Sequence, residues 1–204
     1  MQDAAIGHWR RAAALDPLAP LYRANIGSAF HGLNRNAAGI AEEQAALTLD
    51  PNFTFAQLQL CQLFADSGKL DEAGKILRDR LVGADGTDGA DTDSCRLFIA
   101  SRSGDGRELA RLAHLTERAY AAGDVPASSV GWAYALGMDV GDAIRWFEKA
   151  YDARDVQMLD LITDPDFPSK ITSDLRWRAL MQRPLLKEWQ AAHDRAAAAL
   201  AANI

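Results

Sequence analysis

The tripeptide Leu-Asp-Pro occurs at residues 15–17 and again at 49–51, which puts Pro17 and Pro51 34 residues apart within stretches otherwise rich in helix formers. Proline has no amide donor and drives the residue before it out of the helical region, so each copy stops a helix and fixes φ for whatever follows. A stop that returns at such an interval marks a repeat, because periods of roughly 20 to 50 residues belong to units that cannot bury a core alone. Residues 20–51 can be laid on the chain from residue 54 onward, so that Ile26-Gly27 falls on Leu60-Cys61, Phe30 on Phe64 and Gly39 on Ala73. Each unit holds two apolar-periodic segments broken near "GLNRN" or "DSGKL", which predicts helix, tight turn, helix. Two antiparallel helices approach closely only where side chains are small, here Gly27, Gly39, Cys61 and Ala73, with Phe30 and Phe64 filling the volume between them.

The segments "AFHGLNRN", "LFADSGKLDEA" and "ALTLDPN" resemble the tetratricopeptide repeat, although Arg23 and Gln57 stand where that family carries a tryptophan. The resemblance implies an all-α fold, a right-handed superhelical stack of antiparallel helix pairs with about 10 to 12 helices. It also implies a non-enzymatic scaffold whose concave groove, lined by the first helix of each pair, holds a peptide or a partner helix. By that analogy the groove is lined by Leu21, Ala24, Asn25, Ser28 and Gly32 in the first full unit, and by Phe55, Leu58, Gln59, Gln62 and Asp66 in the second. Relatives that grip an acidic C-terminus do so with Lys, Arg and Asn, since a carboxylate needs charge-assisted donors. Only Asn25 qualifies, so no such clamp is expected. The groove reads as neutral and partly apolar: Asn25, Gln59 and Gln62 pair with a peptide backbone, while Leu21, Phe55 and Leu58 bury side chains. The alternative, that some of these residues simply pack between repeats, is equally open.

Residues 3–82 thus read as a half repeat, "DAAIGHWRRAAAL", followed by two full ones, with Trp9 facing Ile26 and Phe30. Residues 83–94, rich in Gly and Asp, read as a solvated linker. Asp85, Asp88, Asp91 and Asp93 raise the question of calcium, yet the Gly and Glu positions of an EF-hand loop are missing. Residues 95–155 hold two further degenerate helix pairs, the second marked by Trp132, Tyr134, Leu136-Gly137, Ala143, Phe147 and Ala150. The tail, 156–204, resembles the segment that closes bacterial tetratricopeptide arrays, carried by Asp164-Pro165, Ser173-Asp174, Arg176-Trp177 and Leu180. An open stack needs such a cap, with Trp177 and Leu180 packed inward. Pro184 starts a last, Ala-rich helix, an added cap or a dimer contact.

With 22 basic against 28 acidic residues the net charge is −6, and no stretch has the Lys/Arg density of a phosphate-backbone footprint. A protein or peptide partner is therefore expected, without direct nucleic-acid or membrane contact. The N-terminus lacks the order of a signal peptide, which places the chain in the cytoplasm. Cys61 and Cys95 show no CxxC spacing, so neither a disulfide nor a zinc site is suggested, and Cys61 reads as a small buried hydrophobe. Walker, GxGxxG, HExxH and GxSxG patterns are absent from the sequence, and no cofactor, metal or catalytic residue is assigned. His8, His31, His114 and His193 lie on four separate predicted helices and read as surface or packing residues. His114 and Glu117 share a helix face, which means local electrostatics, and Glu42-Glu43 reads as a solvated face. A second reading makes the chain the C-terminal sensing or assembly region of a larger bacterial signalling or transcription-regulatory protein; the incomplete first repeat favours it and Met1 opposes it.

Overall fold

The structure is a computed structural model that describes residues 2–81, 90–164 and 167–201. Among these every regular element is helical: thirteen α-helices and one π-helical turn, in two compact units divided between Gly104 and Asp105.

Unit 1 contains α1 (Gln2–Leu15), α2 (Pro20–Gly32), α3 (Asn36–Leu49), α4 (Thr54–Asp66), α5 (Leu70–Ile76), the π turn Leu77–Leu81, and α6 (Ala90–Ser103). Each helix packs on the next in sequence up to α5, and α4 also packs on α2 and α6. Pro20 occupies the first turn of α2, where its missing amide hydrogen costs nothing. Asp50 is extended (φ −139°, ψ 102°), as a residue before proline must be, and its Oδ1 accepts from the Asn52 amide at 2.9 Å. The turns inside the pairs repeat as well. Asn34 (φ 56°) and Gly68 (φ 72°) are left-handed, and just beyond them the Arg35 amide donates to the Phe30 carbonyl at 2.9 Å and the Lys69 amide to that of Phe64 at 2.8 Å.

The small residues do what their spacing predicts. A Cβ on Gly39 would stand 3.1 Å from the Gly27 carbonyl oxygen and 3.1 Å from a Leu63 methyl, so α3 reaches the backbone of α2 only because both residues are glycine. Trp9 packs on the cluster of Ile6, Ile26, Ala29 and Phe30, which closes the outer side of the first pair.

Three expectations require correction in this unit. Glu43 is not on a solvated face: it is fully buried, with both carboxyl oxygens unpartnered, in the space that Gly27 leaves open. Cys61 and Cys95 are not independent thiols but a disulfide between α4 and α6, their Cα atoms 5.9 Å apart. They lie 34 residues apart, the same interval that separates Pro17 from Pro51. Residues 90–94 are helical rather than linker; Asp91 and Asp93 belong to the first turns of α6, whereas Asp85 and Asp88 lie outside the described residues.

Unit 2 contains α7 (Gly106–Ala122), α8 (Ala127–Leu136), α9 (Val140–Asp152), α10 (Gln157–Ile162), α11 (Ser169–Thr172), α12 (Leu175–Met181) and α13 (Pro184–Ala201). Asp105 and Asp139 cap α7 and α9 by accepting from the Glu108 and Asp142 amides. Gly123 ends α7 in the left-handed region (φ 86°). Helix α8 is buried over Val130–Leu136, held between α7 and α9, and its Gly131 lets the Phe147 ring approach to 3.1 Å of where a Cβ would stand. The Phe147, Phe167 and Trp177 rings meet with centroids 4.9 to 5.6 Å apart, and Trp177 and Leu180 are buried.

Candidate functional site

Two surfaces of unit 1 stand out by their composition. One is the face of α2 and α4 named by the repeat pattern. There Leu21 and Phe55 are exposed, 47% and 38%, while Asn25, Ser28, Leu58 and Gln59 are half-buried. Ala24 and Gln62 do not line an open surface, being 0% and 5% exposed, because at those steps the two helices close on each other and on their neighbours. Leu21 and Phe55 stand one period apart, so this face carries two equivalent apolar projections and a polar strip between them.

At the far end of the same helices lies a charged group that sequence reasoning left dispersed. His31 Nε2 is 2.9 Å from Asp66 Oδ2, and the Arg102 Nε donates to Asp66 Oδ1 at 2.7 Å. The three residues come from α2, α4 and α6. Burial alone would raise the Asp66 carboxyl, but the hydrogen bonds from His31 and Arg102, with the charge of Arg102, hold it below the ordinary carboxylate value. The spacings, 35 and 36 residues, are close to one period, and that was the available signal. The group ties α2, α4 and α6 together through one carboxylate.

The other surface is a cleft of about 700 Å³ between α3 on one side and α5 with its π turn on the other. Its floor is Leu47, Leu60, Phe64 and Ile76, and its rim carries Gln44, Thr48, Asn52, Glu72, Lys75 and Asp79. The Leu-Asp-Pro joint builds one wall. Gln57 Nε2 donates to the Pro51 carbonyl at 2.8 Å and Arg80 Nη1 to the same oxygen at 3.0 Å, fixing the joint against α4 and the π turn. This volume lies within the roughly 300 to 1,000 Å³ typical of ligand sites. An apolar floor under a rim of both charge signs can take apolar groups below and pair polar or charged groups at the rim. Sequence reasoning missed this cleft because it lies between second helices, on the residues that the repeat pattern assigns to packing.

In unit 2, His114 and Glu117 meet at 3.4 Å on one face of α7, as their spacing predicts. Trp146 Nε1 also donates to Glu117 at 3.2 Å, and the Tyr134 hydroxyl lies 3.4 Å from His114 Nδ1. Burial raises Glu117, but hydrogen bonds from Tyr134, His114 and Trp146 outweigh it and leave the carboxyl below its ordinary value. Tyr134 is pushed up to about 12 by burial and by Glu117, so its hydroxyl stays protonated as a donor.

Among the described residues no three His, Cys, Asp or Glu side chains are placed to share a metal ion, and no helix is long and apolar enough to cross a membrane. No protein-family model and no curated protein matches the chain.

Proposed function

We propose that the chain is a protein-binding module of tetratricopeptide-like repeats, which takes an extended segment of a partner into the cleft between α3 and α5. The observation that carries this reading is the combination of an apolar floor at Leu47, Leu60 and Phe64 with rim side chains Glu72, Lys75 and Asp79 that make no ion pair with one another. The face of α2 and α4 is the competing surface, favoured by the exposed pair Leu21 and Phe55. The Cys61–Cys95 disulfide supports folding in an oxidising compartment rather than the cytoplasmic one expected from the N-terminus.

The test places a photo-reactive amino acid at Lys75, inside the cleft, or at Gln59, on the α2 and α4 face, and irradiates each protein in extract of its source cell. A discrete adduct from position 75 and none from 59 is the expected result. Adducts from position 59 alone move the binding surface to the α2 and α4 face, and adducts from neither remove the binding reading.

A further inference from the structure

Unit 2 contains a second concavity, of about 190 Å³, closed by α10 against the start of α13 and the last turn of α9. Its floor is Met158 and Leu186, 1% and 3% exposed, and its walls are Tyr151, Leu159 and Trp189. The mouth is apolar too: Val156 is 77% exposed and Leu185 50%, a costly arrangement for two large side chains side by side unless something covers them. Two charged side chains line this pocket, Arg154 and Asp155. Arg154, held in a left-handed turn (φ 55°), lines the pocket and forms no ion pair among the described residues. Its acidic neighbours are already engaged: the Asp155 oxygens accept from the Ser128 and Gln157 amides at 2.9 and 3.1 Å, and Asp152 is paired with Arg183 at 3.1 Å.

An open apolar pocket whose lip carries a guanidinium with no ion pair among the described residues, beside a carboxylate already engaged by backbone amides, suits a ligand with an apolar tail and an anionic head. The guanidinium fork matches a carboxylate in a bidentate pair, which an ammonium or hydroxyl head cannot form. The volume holds roughly six to eight methylene-sized groups at close to 27 Å³ each, a tail far shorter than that of a membrane lipid. We infer that this pocket binds a medium-chain carboxylic acid, its chain against Met158, Leu159 and Leu186 and its carboxylate on Arg154. The site is separate from the cleft of unit 1, and its test does not depend on that reading.

The four methionines supply a local probe, because Met158 is in the pocket while Met138 and Met181 are outside its lining. In a methionine-methyl NMR titration of the whole chain, octanoate should shift the Met158 resonance saturably and leave Met138 and Met181 in place. Octylamine should do so at least about tenfold more weakly, and Arg154→Gln should weaken octanoate by about tenfold or more while leaving 1-octanol unchanged. Leu159→Trp, which fills the cavity, should abolish the shift. Equal binding of octanoate and octylamine, an Arg154→Gln protein that binds octanoate as tightly as the parent, or shifts spread over all the methionines would each overturn the assignment. Arg154 is at the surface and its replacement leaves the core untouched, so that arm remains decisive even if Leu159→Trp fails to fold.

Discussion

Replacing Glu43 by Gln should make the protein more stable, and by an amount that depends on pH. The Glu43 carboxyl is fully buried with no hydrogen-bond partner for either oxygen, and it is raised from 4.5 to about 9, by burial first and then by the charge of Glu42. In the unfolded chain it ionises near the ordinary value; in the folded chain it keeps its proton until pH reaches about 9. Below pH 4.5 both states hold the proton and ionisation costs nothing. Between the two values the unfolded state gains by losing its proton while the folded state cannot, so stability falls as pH rises, by about 1.36 kcal/mol per pH unit. At pH 7, about 2.5 units above the unfolded value, the cost is about 3 kcal/mol, to order of magnitude. Glutamine keeps the shape and polarity of the side chain but does not titrate, and it removes this cost. Urea unfolding of both proteins, followed by far-UV circular dichroism at pH 4.5, 6 and 7, isolates the effect, because every other titrating group cancels in the difference. The two proteins should be nearly equal at pH 4.5 and about 3 kcal/mol apart at pH 7. A difference that stays constant across the range, or a Gln variant that is weaker throughout, would refute the reasoning and mean that the carboxylate is ionised and paired in the folded state.

Three further outcomes follow from the same structure. Opening the ring by Cys61→Ala with Cys95→Ala should cost about 4 kcal/mol on the chain-entropy account of a loop of this length, read as a fall in urea midpoint; an unchanged midpoint would remove the disulfide from the fold. Asp66→Asn should destabilise by about 1–3 kcal/mol near pH 7, since it turns one of the two oxygens that His31 and Arg102 use into an NH2 donor and removes the charge opposite Arg102. Because the Asp66 value is depressed, that stability is present above the unfolded carboxylate range and lost as pH falls through the folded value, so parent and variant should converge in strong acid. Gly39→Ala should cost about 1–3 kcal/mol by pushing α3 off the Gly27 carbonyl, measured in the same denaturation, and a neutral result would mean that the α2–α3 crossing is looser than its geometry.

The helix pairs were legible in the sequence because each level of signal agrees. The Leu-Asp-Pro stops, the small residues at 27, 39, 61 and 73, and the turns at 34 and 68 all describe one repeating unit, so local propensity and packing point the same way. Trp177 and Leu180 are buried, as the sequence predicts. The burial of Glu43 was not legible. It and Glu42 differ by one step on the helix, about 100° of rotation, and only packing reveals that one pairs with Arg23 at 3.0 Å while the other is sealed against Gly27. The disulfide was hidden because the sequence around Cys95 does not repeat the small-residue and turn pattern around Cys61, although the two lie 34 residues apart and within bridging distance. The cleft was hidden too, because a repeat pattern says which residues face a neighbouring helix but not where two second helices stand far enough apart to leave a gap.

The disulfide also alters the connectivity of unit 1. Residues 61 to 95 form a closed covalent ring that contains α5, the π turn and the Gly/Asp-rich stretch 82–89. Within that ring the peptide chain is no longer the sole route from α4 to α6. New chain ends opened between residues 82 and 89, by a protease or by circular permutation, would still leave the two halves as one molecule, with Asp66 and Arg102 carried on helices that a sulfur bridge holds together.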